Sequence, residues 1–256
     1  MEKHLKPEIM NPSRSHPSEP DSSKIENDKP IPTVISMSPE YPKYRNTLII
    51  FSVIFLLVVF IGGGYLLIRH TGSSIRIFIY TKDIERNPGD TDAYFYRGYA
   101  YYRKGQFDKA ISDYSKVIEI NPKHPWAYFN RGNAYHAKGE YDKAISDHSK
   151  EIEINPESVW SYNALAWLLA TCPDERYRNG VKAIELAEKA LEIMEVGYIV
   201  DTLAAAYAEV GRFEDAIMTQ ERAIALLKKE ESKRNTIDEC VEHLNSYKVN
   251  KPWREK

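Results

Sequence analysis

Two arginines invite an anion-binding reading. Arg97 and Arg131 lie 34 residues apart, and a guanidinium is a rigid donor fork that fits a carboxylate or a phosphate. Each is followed sixteen residues later by an acid, Asp113 and Asp147. Farther along, the same pattern positions hold Leu165 with Leu186, and Leu203 with Thr219. Arg and Asp therefore occur together or not at all. The pattern predicts that each pair closes on itself across two helices, within about 6 Å, and that neither arginine waits for a ligand.

Other reactive side chains form no constellation. Seven histidines show no HxxxH or other metal-ligand spacing. The two cysteines, Cys172 and Cys240, make no zinc signature or disulfide framework, and Cys172 before Pro173 reads as packing at a helix end. There is no Walker A loop, GxGxxG or GxSxG; Gly62-Gly63-Gly64 sits inside an apolar run. An enzyme, a metal site and a cofactor are therefore not expected. A formal net charge of −2 argues against nucleic-acid binding by bulk electrostatics.

The elements that carry these residues repeat. Residues 93–122 set over residues 127–156 give 22 identities in 30 positions. In each copy a first segment places Tyr94, Gly98 and Tyr101 (or Tyr128, Gly132 and Tyr135) at helical spacing. Gly105 or Gly139 then breaks it, since glycine enters the left-handed region without a Cβ clash. Asp108 and Asp142 are placed to cap a second helix. Its apolar positions, Ala110, Ile111, Tyr114, Val117 and Ile118, recur every three to four residues. Pro122 and Pro156 end it. Such a hairpin cannot bury its apolar face alone, so the copies should stack.

This spacing resembles the tetratricopeptide (TPR) repeat: an aromatic, Gly four on, Tyr three further, a later Ala, an aromatic and a closing Pro in 34 residues. The copies depart at Arg97 and Arg131, where the family pattern has Leu, and at His148, where it has an aromatic. The resemblance implies an all-α superhelix of about four repeats. In order, residues 91–124 and 125–158 form the first two. Residues 159–196 form a third with five extra residues in TCPDERYRNG, similar to a lengthened hairpin of bacterial TPR proteins, and residues 197–230 a fourth. Residues 73–90 echo a second helix without its first and would cap one end; residues 232–247 would cap the other. Val249 onward reads as a polar tail.

Before the repeats, residues 1–45 hold eight of the fourteen prolines and no glycine, a disordered composition. Residues 46–68 carry no charge over 23 positions, long enough at ~1.5 Å per residue to span a bilayer as a single helix. Arg45 and Arg69 flank it. A linker of only about four to six residues, near residues 69–72, would hold the repeats close to the bilayer. The arrangement expected is a bacterial inner-membrane protein, N-terminus inside and repeats outside.

Half of the eight differences between the first two copies, Tyr96/Asn130, Tyr99/Asn133, Tyr102/His136 and Arg103/Ala137, fall on one stripe of the first helix. In the TPR family this stripe is the inner, concave face that binds extended peptides or a partner's helix. The resemblance therefore implies a groove of Phe95, Tyr96, Tyr99, Tyr102, Arg103, Phe129, Asn130, Asn133, His136, Trp160, Asn163 and Trp167. The family's Lys/Asn clamp for chaperone C-termini is absent, since Phe95 and Tyr99 stand there. The expected function is a membrane-anchored scaffold binding a protein or peptide partner; the alternative is a self-assembling homo-oligomer of the envelope.

Overall fold

A computed structural model describes residues 64–255 apart from Pro125, Glu231 and Lys233. The expectations for residues 1–45, and for the apolar span as far as residue 63, lie outside the described residues. Among these there are ten α-helices and no strand: α1 Gly64–Arg86, α2 Thr91–Arg103, α3 Phe107–Ile120, α4 Ala127–Ala137, α5 Tyr141–Ile154, α6 Val159–Thr171, α7 Gly180–Ile193, α8 Gly197–Glu209, α9 Phe213–Lys229 and α10 Arg234–Lys248. A 3-10 turn, Glu175–Tyr177, lies between α6 and α7. Each helix packs on the next, and α6 also packs on α8, the neighbour relation of stacked hairpins.

Two local expectations need correction. No linker occurs at residues 69–72, where α1 runs unbroken; one glycine there, Gly72, costs a helix only about 1 kcal/mol and does not end it. Among the described residues no helix is long and apolar enough to cross a membrane. Asp108 is also not a cap. The residue flanking α3 is Gln106, which makes no side-chain cap, and the Asp108 carboxylate instead takes the Lys138 ammonium of the next repeat at 2.6 Å. Asp142 makes a similar forward contact, accepting the Tyr177 hydroxyl at 2.8 Å. The side-chain cap in this region belongs to Asp90, which accepts the Ala93 N–H at 2.9 Å.

The hairpins close at one small residue each. A Cβ on Gly98 would lie 3.0 Å from the Tyr114 ring, and one on Gly132 2.9 Å from the His148 ring. Ala166 and Ala204 take the same place in the next two repeats and are fully buried. The turns follow the repeat as well: Gly105, Gly139 and Gly211 have φ of 69°, 76° and 79°, a region costly for any residue with a Cβ.

Both arginine pairs close within their hairpins. Arg97 donates from Nε and Nη2 to the two Asp113 oxygens at 2.8 and 2.7 Å. Arg131 does the same to Asp147 at 2.7 and 2.8 Å. The third donor of each fork reaches back one repeat: Arg97 Nη1 to Thr81 Oγ1 at 3.3 Å and Arg131 Nη1 to Ser115 Oγ at 3.0 Å. Each guanidinium thus pins three helices, and each also lies near two tyrosine rings, Tyr94 and Tyr101 or Tyr128 and Tyr135. In the later repeats Leu165, Leu186 and Leu203 share one apolar cluster instead. At the far end Cys240 and Leu244 of α10 pack on Ile224 and Leu227 of α9; Cys172 and Cys240 are both buried and not joined in a disulfide.

Removing one partner of a mostly buried ion pair leaves the other charge uncompensated, which costs about 3 kcal/mol, while replacing both by apolar groups is close to neutral. Arg131→Leu should therefore lower unfolding free energy by about 3 kcal/mol, and Arg131→Leu with Asp147→Leu should recover most of it. Urea unfolding of the two variants checks this.

Candidate functional site

The first helices of the repeats are α2, α4, α6 and α8. Aligning Gly211, Phe213 and Ala216 on Gly105, Phe107 and Ala110 extends the register into the fourth repeat. Three rows then run along the wall these helices build. One holds Tyr99, Asn133, Trp167 and Ala205. The next holds Tyr102, His136, Ala170 and Ala208. The third holds Arg103, Ala137, Thr171 and Glu209.

In the first repeat the wall is open. Tyr96 is 48% exposed and stacks on Tyr80 of α1, centroids 5.6 Å apart. Phe95, Tyr99, Tyr102 and Arg103 are half-buried, and Arg103 Nη1 donates to the Tyr99 hydroxyl at 3.3 Å. Through the second and third repeats the wall is covered: Phe129, Asn130, Asn133, His136, Trp160, Asn163 and Trp167 are all buried. Phe129 and Trp160 share a cluster with Tyr99, Tyr102, Met194 and Val196, so these two rings hold neighbouring repeats together. Asn130 donates to the Trp126 carbonyl at 2.8 Å, where Trp126 turns the chain into α4 with φ 71°. The amide oxygens and nitrogens of Asn133 and Asn163 have no hydrogen-bond partner.

Residues 251–255 account for part of that cover. Asn250 has φ 54°, Lys251 N–H donates to the Ser246 carbonyl at 3.0 Å, and Ser246 Oγ donates to the Lys251 carbonyl at 2.7 Å. Asn in the left-handed region followed by Pro252 stops α10. The chain then crosses the three rows. Trp253 packs on the cluster of Trp167, Ala170, Ala183, Ala205 and Ala206, its ring 4.5 Å from that of His243. Arg254 reaches the Ala170 carbonyl from Nη1 at 3.4 Å and the Glu209 carboxylate from Nη2 at 2.5 Å. Glu255 donates its N–H to the Thr171 carbonyl at 3.1 Å, and its carboxylate lies 3.0 Å from His136 Nε2. Burial first, then the Glu255 carboxylate, push the Tyr102 phenol up to about 12.

Reading these last residues as a polar tail therefore overlooked a part of the site. Glu209 was also overlooked, although register alone puts it in the row of Arg103 and Thr171. The five-residue insertion contributes as well: its Arg178 donates to Glu209 from Nε at 3.0 Å and to the Cys172 carbonyl from Nη1 at 3.0 Å. Glu209 is thus held between two arginines, one of them on the crossing segment.

A second cluster escaped the sequence because it joins separate helices. Asp201, Cys240 and His243 are buried, with one ligating atom each within 4.8 Å of one another. Asp201 Oδ1 accepts from Gln220 Nε2 at 2.6 Å and lies 2.8 Å from His243 Nδ1, and Gln220 Nε2 also donates to the Cys240 carbonyl at 3.1 Å. These bonds join α8, α9 and α10, and they account for the cluster as a polar network that fixes the end of the stack. An open cleft of about 440 Å³ at the second arginine pair, lined by Tyr128, Arg131 and Asp147 among others, includes none of the wall positions, and its guanidinium is already committed.

Three family models match the chain, one described as TPR repeat over residues 98–139 and two as tetratricopeptide repeat over residues 125–158 and 79–112. Residues 79–158 thus carry tetratricopeptide repeats. No curated protein matches. Among solved structures, the chain is similar to a thermophilic TPR protein of Thermus thermophilus, with TM-score 0.53, 18% identity, and 64% of this chain and 88% of that one covered. It is similar to MamA, with TM-score 0.53, 22% identity, and 60% and 88% covered. It is also similar to a chain of the APC/C hetero-tetramer Cut9–Hcn1, with TM-score 0.60, 17% identity, and 80% and 39% covered. At these identities the likeness is one of fold.

Two differences between the copies lie inside the second hairpin rather than on the wall: His148 for Tyr114 and Glu151 for Val117, both buried. Burial holds the His148 imidazole down near 3. It holds the Glu151 carboxyl up near 7, against backbone hydrogen bonds from Trp126 and Phe129. A carboxyl raised in the folded state destabilises it increasingly as pH climbs from about 4.5 to 7. Glu151→Gln should therefore gain stability relative to the parent across that window, on the order of 3 kcal/mol between pH 4.5 and 8. Thermal melts of both chains against pH check it; a pH-independent difference would contradict it.

Proposed function

We propose that this chain is a non-enzymatic, membrane-anchored repeat scaffold that holds an extended segment of a protein partner along its first-helix wall. The repeat matches and the TPR fold suggest a protein–protein interaction scaffold. The observation that supports peptide holding is the course of residues 251–255. A stretch of chain outside the repeats lies across three rows of register-equivalent positions, bonding through backbone and side chains. The first-repeat positions Tyr96, Tyr99 and Arg103 extend that wall with large, stiff contact groups, the kind enriched at binding hot spots.

The anchor in this proposal is residues 46–68, inserted as one helix in a bacterial inner membrane with the repeats outside. Its support is the uncharged sequence together with α1, where Ile75, Phe78 and Ile79 are 53%, 60% and 48% exposed on a single stripe that leads back toward the span. The same stripe favours a second reading, in which α1 pairs copies of the chain into a homo-oligomer.

Crosslinking and pull-down of the intact protein from native membranes tests the scaffold. Tyr96→Ala and Tyr99→Ala should each reduce partner recovery at least about fivefold, an effect typical of contact truncation, while the exposed Tyr96 change leaves the melting temperature within about 2 °C. Loss of stability in step with loss of recovery would argue for packing alone. Light scattering of detergent-solubilised chain separates the second reading: a concentration-dependent mass abolished by Phe78→Ser supports pairing through α1, and a persistent monomer opposes it.

A further inference from the structure

The segment on the wall, residues 251–255, lies outside any helix. It leaves α10 through a turn that is already complete at Lys251, since the Ser246 bonds to Lys251 close it. Three of the four residues that follow then contribute side-chain contacts. Trp253 and Glu255 go to Trp167 and His136, in adjacent rows of neighbouring repeats, and Arg254 goes to Glu209. Trp167 and His136 both stand on the stripe along which the first two repeats diverge in type. The segment does not enter a closed core: residues 252–255 are half-buried. Beyond it the wall continues to the half-buried Tyr102 and Arg103 of the first repeat.

We propose that residues 252–255 are an intramolecular ligand of the wall, and that a partner peptide binds by displacing them. This rests on the reading of the wall as a peptide site and names the chemistry it accepts: an extended segment with an aromatic ring and, two residues on, a carboxylate. The ring fills the apolar recess of Trp167, Ala170 and Ala205, and the carboxylate meets His136. A basic residue between them meets Glu209, the acid that Arg178 of the insertion holds in place. Occupation in cis raises the local concentration of the competing segment, commonly into the millimolar range for short tethers, so a partner in solution must outcompete it or bind when it opens.

The test uses a fluorescein-labelled peptide of residues 249–256, titrated by fluorescence anisotropy into the intact chain and into a chain ending at Lys251, which keeps the turn after α10. The shortened chain should bind the peptide, and the intact chain at least tenfold more weakly. His136→Ala in the shortened chain should lower affinity at least fivefold, and Glu209→Gln should do so for this peptide but less for one with Arg254 replaced by alanine. Equal binding by the two chains overturns the proposal, as does failure of the shortened chain to bind while its circular dichroism and melt match the intact chain. If shortening unfolds the protein, hydrogen exchange on the intact chain decides. Amides of residues 253–255 should exchange at least tenfold faster than those of α8, through local opening, and slow exchange in step with α8 would make the segment a structural strap. Each overturning result leaves partner recovery through Tyr96 and Tyr99 as a separate measurement, so failure of the latch is distinguishable from failure of the scaffold reading.

Discussion

The stack depends on the close approach of two helices at one small residue per repeat. Gly98 meets the Tyr114 ring and Gly132 the His148 ring so closely that a Cβ would force those rings to shift, and Ala166 and Ala204 continue the series in full burial. The facing position varies with what the contact must do. It is Tyr114, His148, Ala187 and Gln220 in successive repeats, all buried. A ring fills the gap in the first two. The third closes with alanine beside a leucine cluster, and in the fourth an amide reaches through to Asp201 and the Cys240 carbonyl. Interiors pack at crystal-like density, so once this approach is set, the positions left over on the first helices form the wall by default.

Charge is used inside this frame for geometry more than for stability. The bidentate Arg–Asp pairs and their third bond to Thr81 or Ser115 fix both the hairpin and its distance from the preceding repeat. The third repeat has the leucine pair Leu165 and Leu186 there, and the fourth Leu203 with Thr219, so the arginine and the acid are replaced together. The exposed Lys–Glu pairs at i, i+3 on the second helices are worth only a few tenths of a kcal/mol each. Glu209 differs from these: two arginines from outside its helix converge on it, and one of them exists only because the third hairpin is longer.

The wall divides accordingly. Its first-repeat end presents Tyr96 to solvent, while the second and third repeats turn Phe129 and Trp160 into inter-repeat packing and leave His136 and Trp167 to the crossing segment. Aromatic residues of the first helices therefore do two jobs: Phe129 and Trp160 hold neighbouring repeats together, while Tyr96, whose register equivalent is Asn130, stands exposed beside Tyr80.

Sequence alone determined the hairpin. The 34-residue period, the turn glycines, the small-residue positions and the paired Arg–Asp pattern are local or separated by a fixed register, and helical periodicity forces such residues onto shared faces. It did not determine that α1 runs on through residues 69–72, because nothing there breaks a helix, nor the partner of Asp108, because a carboxylate two residues into a helix can cap or reach forward with equal local ease. The cluster of Asp201, Gln220, Cys240 and His243 and the placement of Trp253, Arg254 and Glu255 were decided only in three dimensions. They join segments tens of residues apart with no common period, and the wall rows that Trp253, Arg254 and Glu255 meet depend on the turn at Asn250, which no repeat position sets.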